Sequence, residues 1–263
     1  MHVLLTDESN LAPAEGVDFF TYGGLIVPVC RIAELHERIA AIRAAHGYRP
    51  GDSLKFSTNS RPARVSTQAA KQAKRQVVEA AISCDCRFIA YVVLHAIAQG
   101  RDQTEMIQWG ANTVIGRFNA FLRESDSHGI VAVDRLSHGA EFDYLADKFV
   151  RGISIPEEGD VPLDRITLFS ATCNNASHLT SAMDIVLGAW RYAINGFTKN
   201  DAAREMMKAL TKLIWAERDG EDIFAFEKGL VFRPKNVAHP PYRALYDALL
   251  EHINSLLVDA APG

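Results

Sequence analysis

The chain has 263 residues, 48% of them hydrophobic and 23% charged, and its 28 Lys+Arg against 32 Asp+Glu leave a net charge of −4. That composition excludes a disordered or collagen-like chain, and the acidic balance excludes a uniformly basic nucleic-acid coat protein. A chain this long buries most of its surface on folding, and its length alone allows one or two domains.

Residues 2–6 are a short apolar run with bulk at Val3, Leu4 and Leu5. They read as a strand covered on both faces that ends at Asp7-Glu8-Ser9. Residues 19–27, reached through Pro13 and Gly16 and stopped by Pro28, read as a second strand forming a hairpin with the first. From Ile32 to Ala45 the apolar residues Leu35, Ile39 and Ile42 recur at helical spacing, and Gly47 and Pro50 then break the chain. After a loop bearing Lys55, residues 67–82 are Ala- and Gln-rich and helical, and residues 86–94 are a β-branched and aromatic buried strand.

The alternation continues with a helix over 104–124, a buried strand over Gly129–Asp134, a helix over 142–150 and a strand over 165–170. A long helix over 177–195 follows, with Ser177 as its N-cap and Gly196 as its stop. Beyond it come a charged helix near 202–215, an extended stretch near 223–232 and a last helix over 242–257. The acid-, Gly- and Pro-containing stretch 155–162 reads as a surface loop. A hairpin followed by alternating helix and strand predicts an α/β fold, a mixed β-sheet flanked by helices. The expected division is a core over residues 1–197 and a mostly helical extension over 198–263 packed on it.

The longest near-apolar run, residues 88–98, falls short of the about 20 residues that cross a bilayer, so no membrane span is expected. Asp7 and Glu8 stand where a secretory leader would need apolar residues, which points to a cytoplasmic protein. Cys30, Cys84, Cys86 and Cys173 include one C-x-C and no zinc-finger spacing, so reduced and mostly packed thiols are expected.

Three acids interrupt apolar sequence at places where a carboxylate is costly without a partner: Asp7, Asp134 and Asp184. Asp7 and Glu8 end the first strand on opposite faces, so one of them, Asp7, is the stronger candidate for a given site. Asp134 closes the run Ile130-Val131-Ala132-Val133, at the mouth of a buried strand where open α/β sheets place functional groups. Each of these two also reads as a plain turn acid. Asp184 and Arg191 are the only formal charges over 177–195; Thr180, Ser181 and Gly188 lie within a turn of Asp184 and leave room for a metal or a close neighbouring strand. A narrow solvated stripe on that helix is the alternative.

If the acids converge, hard oxygen ligands from several segments suit Mg2+ or Mn2+ rather than zinc, and one or two such ions organise phosphoryl chemistry. Residues 53–78 carry six basic residues (Lys55, Arg61, Arg64, Lys71, Lys74, Arg75) and no acid. That cationic stretch on an acidic protein is what phosphate-backbone contact requires, although a solvated helix face has the same pattern. There is no P-loop, dinucleotide fingerprint, nucleophile elbow or H-E-x-x-H. His138 and His178 fall near Asp134 and Asp184 in sequence and are assigned no role.

In their order and spacing, Asp7-Glu8-Ser9, Gly23-Gly24-Leu25-Ile26-Val27, Leu54-Lys55-Phe56-Ser57, the strand ending at Asp134, and Met183-Asp184-Ile185-Val186 resemble the domain-of-unknown-function family 3800. That family is similar to ribonuclease-H-like proteins, and the likeness spans about residues 1–195. It implies a ribonuclease-H-like core in which Asp7, Glu8, Asp134 and Asp184 ligate divalent metal and Lys55 lies near the phosphate. The chain departs from the pattern at Asn10 in place of Gly, at Ser53 in place of an acid, and at Ser181 and Met183 in place of Gln and Ala.

The expected function is a Mg2+- or Mn2+-dependent nuclease acting on DNA or RNA. Its rival is a catalytically silent module that binds nucleic acid or a protein partner through the region from Lys55 to Arg75. A metal-dependent hydrolase of small phosphate esters is a third, weaker option.

Overall fold

The order of elements follows from where apolar residues can be hidden. In this computed structural model, which describes residues 1–9, 11–134, 141–155, 159–173, 176–219 and 222–259, strand β1 (His2–Ser9) pairs antiparallel with β2 (Phe19–Pro28). Helices α1 (Ile32–Ala45) and α2 (Thr67–Ser83) come next, then strand β3 (Arg87–Leu94), the short helix α3 (His95–Ala98), helix α4 (Gln103–Glu124) and strand β4 (Gly129–Asp134). Helix α5 (Glu141–Arg151), strands β5 (Ile153–Ile155), β6 (Gly159–Val161) and β7 (Ile166–Thr172), and helix α6 (His178–Gly196) follow. The chain continues through α7 (Asp201–Leu210), β8 (Glu217–Asp219), β9 (Asp222–Phe224), β10 (Leu230–Arg233) and α8 (Pro240–Asp259).

Six strands form one mixed sheet in the order β10-β3-β2-β1-β4-β7. β2 runs antiparallel to β1 and β3, while β4 is parallel to β1, β7 to β4 and β10 to β3. Five strands therefore share one direction, and their carboxyl ends lie along one side of the sheet. The pleat sends alternate residues to two cores. Leu5, Leu25, Val27, Phe88 and Val92 meet α1, α2, α6, α7 and α8 on one face. Leu4, Phe20, Tyr22, Ile26, Ile89 and Val131 meet α4 and α5 on the other. The mixed sheet flanked by helices is the class that the sequence pattern predicts.

Several local expectations are corrected. β1 does not stop at the acids: Asp7, Glu8 and Ser9 pair with Gly23, Tyr22 and Thr21, because β2 supplies backbone partners to its end. The stretch expected to be a loop over 155–162 contributes to a two-stranded ribbon, Ile153 to Ile155 pairing with Val161 to Gly159; residues 156–158 lie outside the described residues. The helix expected near 202–215 ends at Leu210, and Leu213 and Trp215 then turn onto the start of β3, the Phe88 N–H donating to Leu213 O at 2.7 Å and the Trp215 N–H to Phe88 O at 3.1 Å. The C-terminal part adds an edge strand, β10, as well as helices. Tyr246 of α8 fastens that part to the sheet, accepting from the Leu94 N–H at 2.8 Å and donating to Arg233 O at 2.7 Å. Of the four thiols, Cys84 and Cys86 are buried, but Cys30 and Cys173 are exposed. Among the described residues no helix is long and apolar enough to cross a membrane.

Candidate active site

At the carboxyl side of the sheet the strand period separates neighbouring acids. Asp7 lies opposite Gly23 and Glu8 opposite Tyr22. Directly opposed residues of an antiparallel pair share a face, so Asp7 belongs to the α6 face and Glu8 to the α4 face. Gly23 shows how closely α6 descends there: a Cβ on it would stand 2.7 Å from Leu187 Cδ1. β4 continues the register of β1, with Val133 beside Thr6, so Asp134 comes next to Asp7, and Thr172 of β7 is its partner on the far side.

Helix α6 starts where Ser177 caps it, the Thr180 N–H donating to Ser177 Oγ at 3.3 Å. Its first turns place Thr180 and Met183 over the same spot, and a cleft of about 10 Å3 is left between Leu5, Asp7, Asp134, Thr172, Thr180 and Met183. That is room for about one water-sized sphere. Asp184 is the single residue of 181–190 that is not buried. Its carboxylate Oδ2 accepts a hydrogen bond from the Phe56 N–H at 2.7 Å. The space expected beside Asp184 at Gly188 is taken by Phe56, since a Cβ there would stand 2.3 Å from Phe56 Cβ.

The electrostatics follow from this crowding. Burial, then the charges of Glu8, Asp134 and Asp184, push the Asp7 carboxyl from its ordinary 3.8 up to about 8, against one hydrogen bond from the Glu8 N–H at 2.9 Å that favours the carboxylate. Glu8 is raised as well, by burial and then by Asp134. Beneath Glu8 the Tyr22 hydroxyl is paired with Thr6 Oγ1 at 2.7 Å, and burial holds its pKa well above the ordinary 10.

The loop before α2 is fastened from both sides of one residue. While Asp184 takes the Phe56 N–H, Lys74 Nζ donates to Phe56 O at 2.8 Å and lies 4.9 Å from the centre of the Phe56 ring. Lys55, the preceding residue, is half-buried on this loop.

The six basic residues therefore separate. Lys71 and Arg75 are exposed one turn apart on α2. Arg64 is exposed but paired with Asp52. Arg61 donates to Thr58 O at 2.9 Å and Val65 O at 3.1 Å, within its own loop. Lys74 is a correction: it is 8% exposed rather than a surface cation, because its stem packs in the Ala- and Val-lined side of α2 and its ammonium has a backbone acceptor. Burial, then Lys71, lowers its pKa, and Asp184 opposes that shift. His138 and Asn10 lie outside the described residues, and His178 lies against His36, the rings tilted with centres 4.7 Å apart.

Sequence reasoning does not single out Thr172, which lies beyond the expected end of its strand, nor the Phe56 peptide as the partner of Asp184. The recurrence of a small residue, Gly188, one turn after Asp184 is the signal that points to a close neighbour. Among the described residues no three His, Cys, Asp or Glu side chains are close enough to form a ready cation cage. The donor set nevertheless fits a hard divalent ion by its chemistry: all oxygen, with the Asp7 carboxyl raised by burial and then by neighbouring carboxylates whose repulsion a cation relieves.

No family model and no curated protein matches the chain. Among solved structures, Bst-RNase HIII in complex with Mn2+ aligns at 11% identity over 98% of this chain and 65% of that one, with a TM-score of 0.40. A glutamine-to-alanine mutant of Bst-RNase HIII aligns at 13% identity over 80% of this chain and 61% of that one, with a TM-score of 0.35. The chain thus spans less than two thirds of the length of either, and likeness of this degree says nothing of the site residues.

Proposed function

We propose that the chain is a cytoplasmic ribonuclease-H-like nuclease that depends on Mg2+ or Mn2+ and hydrolyses phosphodiester bonds of nucleic acid, as the motifs resembling family 3800 imply. The observation that supports this reading is that Asp7 and Asp134, from two neighbouring strands, line one small cleft at the carboxyl side of the sheet, with Asp184 of α6 near enough for its charge to raise the Asp7 carboxyl. Asp7, Asp134 and Asp184 would hold the metal, with Glu8 from the opposite face as a weaker candidate ligand. The chemistry that such an ion supplies when bound is activation of a water and neutralisation of phosphate charge. Lys55, on the loop held by the clamp on Phe56, would offset charge on the non-bridging phosphate oxygens, and exposed Lys71 and Arg75 would meet the backbone further along.

The test is cleavage of a panel of single- and double-stranded DNA and RNA with Mn2+, Mg2+ or EDTA. Asp7→Asn and Asp184→Asn should each abolish metal-dependent cleavage. Asn at 184 keeps an oxygen acceptor for the Phe56 N–H, so a melting temperature held near that of the wild type separates lost chemistry from lost fold. A wild-type chain that cleaves nothing, or an Asp184→Asn chain that cleaves normally, refutes the reading. The silent-module reading is favoured by one observation, that Asp184 already serves as a loop anchor. It predicts nucleic-acid binding without turnover.

A further inference from the structure

Of the three tryptophans, Trp190 and Trp215 are buried, while Trp109 is 39% exposed. The guanidinium carbon of Arg101 lies 5.2 Å from the centre of the Trp109 ring. Arg101 is itself open to solvent and has one long ion pair, 3.7 Å to Glu105. The place of Trp109 relative to the acids is fixed by its neighbour. Gly110 rests directly on Tyr22, where a Cβ would stand 2.4 Å from Tyr22 Cβ, and Tyr22 is the register partner of Glu8. Close by on the same helix, Asn112 accepts a hydrogen bond from the Tyr144 hydroxyl at 2.7 Å, which ties α4 to α5. A part-exposed indole with a guanidinium over its ring thus sits at the carboxyl side of the sheet, on the Glu8 face. The Lys55 loop and the Lys71–Arg75 side of α2 flank the opposite face.

We propose that Trp109 and Arg101 form a base-stacking platform, and that the nucleic acid this site takes is single-stranded. A single strand presents unpaired bases whose π faces stack on an aromatic ring, and its phosphates meet a guanidinium alongside; a duplex keeps its bases stacked on one another. The platform on one face and the cations on the other lead such a strand across the sheet past the acids. This inference rests on the nucleic-acid part of the proposed function, but its test does not need turnover.

The experiment is a fluorescence titration of the full chain in EDTA with oligo(dT), oligo(U) and a DNA duplex of the same length. With its two other indoles buried, the chain reports stacking through Trp109. Single strands should quench the emission and the duplex should not. Trp109→Ala should remove the quench and weaken single-strand binding, measured by anisotropy of a labelled oligonucleotide, by about 5- to 150-fold, while Trp109→Phe should retain most of the affinity. An unchanged circular dichroism spectrum and melting temperature exclude misfolding, and Arg101→Ala gives a second surface variant expected to weaken binding. Equal affinity of Trp109→Ala and wild type, or equal binding and quenching by the duplex, overturns the proposal. If the wild type cleaves nucleic acid but Trp109→Ala binds as tightly, the platform fails and the nuclease reading stands. If no polymer is cleaved, yet single strands quench Trp109 and Trp109→Ala no longer binds them, the platform stands and the nuclease reading fails.

Discussion

Replacing Asp7 by Asn tests the electrostatics of the acidic cleft without reference to any substrate. Below pH 3.8 the Asp7 carboxyl is protonated in both the folded and the unfolded chain, so it contributes nothing to stability. Between 3.8 and about 8 the unfolded chain has released that proton while the folded chain keeps it. The unfolded state then binds fewer protons, and folding stability falls as pH rises, levelling off above about 8. Each pH unit of that window is worth about 1.4 kcal/mol, which sets an upper limit of about 5–6 kcal/mol. Relaxation of the half-buried site and entry of counter-ions reduce this, and a net effect on the order of 2 kcal/mol is expected.

Asn cannot ionise, and its side-chain oxygen can still accept the Glu8 N–H. In EDTA, Asp7→Asn should therefore match the wild type near pH 4 and exceed it by about 2 kcal/mol near pH 8.5, read from urea unfolding at fixed ionic strength. Glu8, raised independently by burial and Asp134, keeps a smaller slope in both proteins. Adding Mn2+ should reverse the order at alkaline pH. The wild type gains about 2.7 kcal/mol at a hundredfold excess over its Kd, and the variant gains little because it has lost the ligand that the metal deprotonates. Parallel stability curves for the two proteins in EDTA would refute the account of Asp7, and equal stabilisation of both by Mn2+ would refute its role as a ligand.

Other changes separate the parts of the site. Lys74→Met removes a buried ammonium and leaves Phe56 O without its donor; a loss of about 1–3 kcal/mol in urea unfolding is expected, together with weaker activity through the loosened Lys55 loop. Gly188→Ala drives a methyl into Phe56, whose Cβ would stand 2.3 Å away, and should cost about 1–3 kcal/mol in stability, read from urea unfolding. Charge reversal of the exposed pair, Lys71→Glu with Arg75→Glu, should leave the melting temperature within a degree or two, weaken oligonucleotide binding and lower its salt slope by roughly one for each phosphate that is no longer neutralised. An unchanged salt slope would remove α2 from the nucleic-acid surface.

Much of the fold is legible because punctuation and periodicity agree. α1 is bounded by Gly47 and Pro50 and β4 by Gly129 and Asp134, and both lie as the pattern predicts. The end of β1 is misleading because an Asp-Glu-Ser run looks like a terminus, while the pairing that prolongs it comes from residues 21–23. The extended stretch after α7 is visible as extended, but its partner β3 lies more than a hundred residues earlier, and no local pattern carries that pairing. Among the candidate site residues, the acids stand out because each interrupts apolar sequence. Lys74 sorts to the surface with the other cations of α2, since its acceptor, Phe56 O, belongs to a loop whose path the sequence does not reveal.

The Phe56 peptide explains why Asp184 occurs in a stretch of helix, residues 181–190, that is otherwise buried. A carboxylate among Ile185, Val186 and Leu187 is expensive unless its oxygens are satisfied, and one of them takes the Phe56 N–H while the Phe56 carbonyl takes Lys74. Acid and cation are thereby tied through one residue, on a helix brought close to the loop by Gly188. The loop that carries Lys55 and the helix that carries Asp184 are coupled through the Phe56 peptide. This also separates two readings of any Asp184 variant. Asn retains the acceptor and removes the charge, whereas Leu removes both and frees the loop. A protein in which Asp184 serves only as an anchor would tolerate Asn and lose Lys55-dependent binding with Leu; one in which it serves as an acid would fail with either.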